Sequence, residues 1–417
     1  VAGAWAILKQ KYPSATVAQV LAALQLTALP IKDTRDSDPA RQYVQCRIRI
    51  DKAIENFPEN NFITFNAPDG DELGYYFGIN KCQIVGSVGD ASYTVHGFVL
   101  NGIGGEFIRF DVPNTDLTQA SGINNTGHIV GLTYVPESND SPVRGFLRYP
   151  DGTFDLSISA PDAFASVTWA INDAGTAVGW GGTAPEDPDP WPPVHGLVKP
   201  LGNGIQTVDR PGAWSTQFYG INNPGQMVGF YSLSDGLQRS FLRLADGTFQ
   251  DLNCPAAVEN STAPLGINGA GYIVGAYWDG GDSSPAFVRA TDGTCNTFSV
   301  PNSLWTWPTA INDFGQVVGA YWDDVGGYGF VFNSCFRESS TTKNSVGPGK
   351  SCGPTPFSGY AACERSNMRR TSIETAAKES SPYARQSIVL SRPRVWRQAS
   401  SFTTMTAIST RLPELND

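Results

Sequence analysis

Through most of the chain, apolar residues alternate with polar ones over short stretches, and clusters of Gly, Pro, Asn and Asp separate those stretches. This two-residue period is that of strands with one face buried. One decapeptide punctuates the pattern: GINNTGHIVG (122–131), AINDAGTAVG (170–179), GINNPGQMVG (220–229), GINGAGYIVG (266–275) and AINDFGQVVG (310–319), with a copy one residue shorter, GINKCQIVG, at 78–86. Its asparagines, Asn80, Asn124, Asn172, Asn222, Asn268 and Asn312, follow one another at steps of 44, 48, 50, 46 and 44 residues. A period of this size marks a repeat architecture. In each copy a short apolar strand ends at Ile-Asn, turn-tolerant residues follow, Gly supplies a positive φ, and Val-Gly resumes an extended strand, which together make a hairpin. Asn and Gly are accordingly read as turn residues, in preference to six side chains aimed at a ligand.

Between the decapeptides a second element recurs as HGF (96–98), RGF (144–146), HGL (195–197), RSF (239–241), PAF (285–287) and YGF (328–330), each leading into apolar residues. A third follows it: EFIRFDVP (106–113), TFDLSISAP (153–161), IQTVDRP (205–211), TFQDLNCP (248–255) and NTFSVP (296–301), with FITFNAP (62–68) as its sixth copy. Alternating aromatic and polar positions closed by Pro suit a half-buried strand with an abrupt end. Each repeat thus supplies about four short strands in roughly 45 residues, the size of a propeller blade. FITFNAP opens the array without its tripeptide strand, and YGFVFN (328–333) closes it without a following strand, so joining the two completes the set. The predicted fold is all-β, a six-bladed β-propeller over 57–334 closed by a blade shared between first and last repeats, which leaves no unpaired sheet edge.

Composition agrees, since 44 Gly, 29 Pro and only 16% charged residues in a chain of 417 suit a β-rich protein with many tight turns. The net charge of −10 conceals a division: residues 335–417 carry 12 Lys+Arg against 6 Asp+Glu, and residues 1–334 carry 17 against 33. An acidic body repels phosphate backbones, so no nucleic-acid partner is expected. No apolar run approaches the roughly 18 residues of a membrane span, so none is expected either. The Ser-, Thr- and Arg-rich stretch 335–417 lacks sustained periodicity apart from a short helical pattern at Ser372–Lys378, and is read as a disordered tail or the product of a shifted reading frame. The seven cysteines, Cys46, Cys82, Cys254, Cys295, Cys335, Cys352 and Cys363, include no C-x-x-C pair. Cys254 and Cys295 fall in neighbouring repeats and are read either as a pair or as separate buried thiols.

Residues 1–56 follow a different pattern. Ala2, Gly3, Ala4 and Ala6 let a first helix pack closely, Pro13 ends it, and Thr16 is placed to cap a second helix with Val17, Val20, Leu21 and Leu24 facing inward. A two-helix segment buries too little to be stable alone, so its partner is expected upstream. The segment resembles the C-terminal end of a subtilisin-like serine peptidase domain. Val1-Ala2-Gly3 matches the end of the Gly-Thr-Ser-Met-Ala-x-Pro-His-Val-Ala-Gly run around that family's nucleophile, and TVAQVLAALQLTA (16–28) and RIRIDKAI (47–54) follow in the family's order. This resemblance implies an upstream catalytic domain, with the nucleophilic serine six positions before Val1 and the Asp and His earlier still, so no catalytic residue is assigned on this chain. The repeats, over about 60–333, resemble the extracellular HAF family, whose His-Ala-Phe tripeptide is echoed by HGF and HGL and whose copies carry the same IN-x-x-G-x-x-VG run. Arg, Pro or Tyr stands in place of the His in four copies. The resemblance implies a secreted or surface protein without an assigned molecular activity.

Little chemistry is on offer. His96, His128 and His195 give no second-ligand spacing for a metal, and the D-x-D-x-D-G loop spacing is absent, so no cofactor is expected beyond a structural calcium in the acidic loops. The acidic segments GGTAPEDPDPWPP (181–193), YWDGGDSS (277–284) and YWDDVGG (321–327) share one point in their repeats, after the Val-Gly strand, which puts them on one rim. There Tyr231, Tyr277, Trp278, Tyr321 and Trp322, with Asp279, Asp323 and Asp324, are candidates for lining a sugar or peptide groove; the other reading makes them packing aromatics and solvated turn acids. The leading expectation is the C-terminal portion of a secreted subtilisin-like peptidase whose propeller docks peptide, polysaccharide or cell surface. A stand-alone extracellular binding protein is the alternative, and a hydrolase or lyase seated in the propeller channel is the third.

Overall fold

The alternation in the sequence becomes antiparallel strands in sets of four. In a computed structural model the described residues are 2–32, 44–56, 62–67, 71–74, 77–92, 94–135, 143–158, 163, 165–182, 193–280, 284–333, 354–355 and 358–361. The second repeat supplies Leu117–Ile123, Ile129–Tyr134, Val143–Arg148 and Phe154–Ile158. The fourth supplies Ser215–Ile221, Met227–Ser232, Gln238–Arg243 and Phe249–Asp251. The decapeptide makes the turn from first to second strand, and its Gly takes positive φ in all five full-length copies: Gly127 at 84°, Gly175 at 76°, Gly225 at 88°, Gly271 at 85° and Gly315 at 74°. Glycine alone enters that region without strain.

The recurring tripeptide opens the third strand, and its last residue is the anchor of each core. Phe98, Phe146, Leu197, Phe241, Phe287 and Phe330 are all fully buried, each contributing about 1.5–3 kcal/mol relative to exposure. Single parallel bridges, Val95 with Leu117 and Val143 with Ala165, link the sheets of the first three repeats into one 13-stranded network. In the sixth repeat Trp305–Ile311, Gln316–Trp322 and Gly327–Asn333 are completed by Phe62–Phe65, with Phe330 opposite Thr64 and Val331 opposite Ile63. Stacked rings at this junction, Phe62 on Phe332 at 4.7 Å and Phe332 on Phe298 at 4.4 Å, cover the pairing.

Each first strand lies against the first strands of the neighbouring repeats, and Trp305–Ile311 also lies against Gly78–Ile79. The approach is close enough that a Cβ on Gly266 would come within 2.9 Å of Ala310 Cα, and one on Gly122 within 2.8 Å of the Trp169 carbonyl oxygen. The first residue of the decapeptide is Gly or Ala in every copy for this reason.

The N-terminal segment departs from the two-helix expectation. Helices α1 (Ala2–Lys11) and α2 (Val17–Leu26) form as read, and Thr16 caps α2 in a full capping box, its Oγ1 accepting from Gln19 N at 3.2 Å while Gln19 Oε1 accepts from Thr16 N at 2.8 Å. A third helix, α3 (Ile50–Glu55), joins them around a small core of Leu8, Val20, Leu24 and Ala53. Its single turn and a half is too short to print a helical period on RIRIDKAI. The opposite face of α2 sends Ala22 and Leu26 into the core of the first repeat, beside Ile63, Phe77 and Ile103. The segment therefore finds packing partners downstream of itself. Leu29–Lys32 pairs with Val44–Arg47, and from this hairpin Cys46 forms a disulfide with Cys82 in the first decapeptide.

Every element discussed lies in one compact unit, Val1–Cys363. A second unit, Glu364–Asp417, lies outside the described residues, as do the helical pattern at Ser372–Lys378 and Cys335, Cys352 and Cys363. No helix among the described residues is long and apolar enough to cross a membrane.

Candidate functional site

The two ends of the strand sets differ in what their side chains are free to do. At the end carrying the decapeptide turns, the six asparagines are buried and each uses both atoms of its amide. The oxygen stays local: Asn124 Oδ1 accepts from Thr126 N at 3.1 Å and His128 N at 2.9 Å, and Asn312 Oδ1 from Phe314 N and Gln316 N at 3.0 Å. The nitrogen reaches the backbone carbonyl of the next asparagine. Asn80 donates to Asn124 at 3.0 Å, Asn124 to Asn172 at 2.9 Å, Asn172 to Asn222 at 3.3 Å, Asn222 to Asn268 at 2.9 Å, Asn268 to Asn312 at 3.2 Å, and Asn312 back to Asn80 at 2.9 Å. The position needs one acceptor and one donor on a short side chain, which is why Asn and never Asp stands there.

The residue after each asparagine adds a second tier. Asn125 N donates to Asp173 Oδ1 at 2.8 Å, Asp173 N to Asn223 Oδ1 at 2.8 Å, and Gly269 N to Asp313 Oδ1 at 2.7 Å. This same end seats the helical segment: Ile103 N donates to Leu26 O at 2.6 Å, and Gln316 Nε2 to Gln25 Oε1 at 3.4 Å.

The opposite end is built from the loops between second and third strands and from the connections that lead into each first strand. Backbone hydrogen bonds tie the two together, Trp214 N to Ser232 O at 2.7 Å, Val258 N to Trp278 O at 2.8 Å and Leu304 N to Trp322 O at 2.7 Å. The sequence candidates divide here. Tyr231 and Tyr277 are buried in the cores of the fourth and fifth repeats, as packing aromatics. Burial raises the pKa of both phenols; for Tyr231 the bond to Asp251 adds to it, and for Tyr277 the nearby Asp279 charge does. Tyr321 is half-buried and stacks on Tyr328 at 5.2 Å, while Trp278 and Trp322 are half-buried at the feet of their loops. Asp323 caps its turn, accepting from Val325 N at 2.9 Å and Gly326 N at 3.0 Å. Asp279 and Asp324 are exposed. Of the acidic segments, 183–192 and 281–283 lie outside the described residues.

Several charges at this end are already engaged. The Arg210 guanidinium lies 3.8 Å over the Tyr231 ring and 3.0 Å from Asp251, which also accepts from Tyr231 Oη at 2.8 Å. Arg239 grips Asp235 with two nitrogens, at 2.6 and 3.0 Å, and with the Leu237 N–H holds that carboxyl down at about 2. His96 and His195, at the same tripeptide position, each put Nδ1 2.8 Å from a carboxylate just beyond the fourth strand, Asp111 and Asp209. His96 also meets Asp90 through Nε2 at 3.3 Å. These two histidines are thus equivalent partners of acids. Among the described residues no group of three or more His, Cys, Asp or Glu converges as a metal site requires.

What sequence reading passed over is a set of exposed apolar side chains in the connections and at the start of a first strand, including Trp214, Leu304, Trp305 and Val325. The signal was present, as large apolar residues inside Gly-, Pro- and Ser-rich stretches such as RPGAWS (210–215) and VPNSLW (300–305).

No protein-family model matches the chain, and no curated protein sequence does. Solved structures of propeller-type proteins do resemble it. TolB from Acinetobacter baumannii is 11% identical with a TM-score of 0.44, the match covering 60% of this chain and 63% of TolB, so this chain spans less than two thirds of that protein's length. Virginiamycin B lyase from Staphylococcus aureus is 12% identical with a TM-score of 0.40, over 65% of this chain and 98% of the lyase. The gluconolactonase XC5397 from Xanthomonas campestris is 11% identical with a TM-score of 0.40, over 74% of this chain and 96% of the lactonase. The likeness is one of all-β, propeller-type architecture.

Proposed function

We propose that this chain is a binding module, a six-bladed propeller closed by its first and last repeats, which forms the C-terminal portion of a secreted subtilisin-like peptidase and holds a peptide or polysaccharide at one rim. The observation that carries the reading is the division of labour between the two ends. One end is engaged by the asparagine circuit and by the disulfide-tethered helices. The other presents aromatic and apolar side chains to solvent on hydrogen-bonded loops. Disulfides between Cys46 and Cys82 and between Cys254 and Cys295 suit an oxidising, extracellular compartment. The pairing of Phe62–Phe65 with Gly327–Asn333 supports closure, since it joins the first strand of the array to the last and covers the free edge of Gly327–Asn333.

The test is binding of the purified chain to immobilised polysaccharides and to denatured protein, with Trp305→Ala as the rim variant and Lys81→Ala as the turn-end control. Binding that Trp305→Ala weakens and Lys81→Ala leaves intact is the expected result. Absence of binding, or binding that only Lys81→Ala weakens, would overturn it. Parentage is tested separately by reading the gene upstream of Val1, where a Gly-Thr-Ser-Met-Ala run is expected and an unrelated sequence would leave a binding protein without a peptidase.

A further inference from the structure

We infer that the open rim of the fourth to sixth repeats docks a polypeptide segment that is both apolar and basic, an inference that rests on the binding-module reading and narrows its ligand. Six large apolar side chains stand in water there: Val325 at 81% exposure, Leu304 at 66% and Trp214 at 50%, with Trp305, Leu237 and Val258 each above a third. Single exposed hydrophobics are ordinary on a protein surface, but six on one rim of three consecutive repeats are a patch. On the same rim of the first three repeats, Tyr134 is the large apolar side chain of comparable exposure among the described residues. The patch also has a firm base. Trp214, Val258 and Leu304 each donate a backbone hydrogen bond to the end of the adjacent second strand, so the main chain that carries these three side chains is ordered before any partner arrives.

Charge selects the partner. Glu259, Asp279, Asp323 and Asp324 flank the patch, and the arginines of this rim, Arg210 and Arg239, are spent on Asp251 and Asp235. The local field is therefore negative, within a body of 17 Lys+Arg against 33 Asp+Glu. A segment carrying Lys or Arg between apolar side chains meets both features at once. A polysaccharide meets only part of them, because the aliphatic Leu237, Val258, Leu304 and Val325 offer neither a ring face nor a hydrogen bond to a hydroxyl, and a nucleic acid is repelled.

The experiment titrates the full chain with a synthetic amphipathic peptide of Leu and Lys, with its Leu/Glu counterpart, and with a soluble β-glucan oligosaccharide. Saturable binding of the Leu/Lys peptide is expected, weakened roughly tenfold or more by Trp305→Ala and by Val325→Ser, and slowed in association by Asp324→Lys. The Leu/Glu peptide should not bind. Should a variant lose its fold, Leu237→Ser reads the same surface from its other side. Equal binding of both peptides, or Leu/Lys binding indifferent to the substitutions, would overturn the inference. Oligosaccharide binding that Trp305→Ala abolishes, without peptide binding, would overturn it while sparing the binding-module reading; no binding by any probe would overturn both.

Discussion

Asn312 donates its side-chain amide to the backbone carbonyl of Asn80 at 2.9 Å, across 232 residues of chain. The same bond spans 44 to 50 residues between every other pair of successive asparagines. A contact so remote in sequence orders far more chain than its neighbours do, and it forms only when the chain between is in place.

Replacing Asn312 by Asp removes the donor and sets a carboxylate against the Asn80 carbonyl. We expect a loss of about 2–4 kcal/mol, the range for an unsatisfied buried polar group with added repulsion, measured as a lowered midpoint in urea unfolding. Asn222→Asp should cost a similar amount. A negligible effect at Asn312 beside a large one at Asn222 would mean that the ends of the array are not joined.

Gly225 isolates the conformational demand of the turn, because it sits at φ 88° with no atom near the place a Cβ would occupy. Gly225→Ala should lower stability by about 1 kcal/mol. Gly225→Asn should lose less, since Asn enters the left-handed region more readily. Equal losses in thermal unfolding would assign the effect to something other than backbone strain.

His96 should make stability depend on pH. Partial burial alone would lower its pKa, but the hydrogen bonds to Asp111 and Asp90 outweigh that and raise it above the 6.5 of a free histidine. A group whose folded pKa is raised lends stability that is complete below its unfolded value and is lost as pH climbs through the folded one. Between pH 6 and pH 8.5 the native chain should therefore lose more stability than His96→Gln does. Parallel curves for the two proteins would contradict the assignment.

The Cys254–Cys295 disulfide spans 41 residues and ties the connection before the fifth repeat to that repeat's outer strand. Cys254→Ser with Cys295→Ser should cost up to about 4 kcal/mol by loop-closure entropy. Non-reducing mass spectrometry of a proteolytic digest should recover the two peptides linked, and recovering them separately would place the thiols apart.

Period and turn chemistry made the repeats legible: the strands of each set of four could be placed from the decapeptide, the tripeptide and the alternation of FIRF or TFDLSI. What sequence could not disclose was partnership at a distance. Each motif asparagine was read correctly as closing its own turn, yet the acceptor of its amide lies a full repeat away, where no local pattern points. The acidic partners of His96 and His195 were hidden for the same reason, since Asp111 and Asp209 meet them only once the third and fourth strands pair. Of the two readings open for Tyr231 and Tyr277, burial matches the packing one, a choice that alternation leaves undecided because it fixes that a side chain faces one side of a strand without saying which side is covered. Cys46 and Cys82 carried no spacing signal at all, being brought together by the packing of α2 on the first repeat.

That last disulfide has a mechanical consequence. The covalent loop from Cys46 to Cys82 encloses Phe62–Phe65, the strand that completes the sheet of the sixth repeat. Tension arriving from upstream of Cys46 passes through the sulfur bridge directly to Cys82, and the enclosed strand carries none of it. A pull on the N-terminal helices would thus load the first decapeptide and leave the seam between the ends of the array slack, as a strain relief does for a cable at its plug.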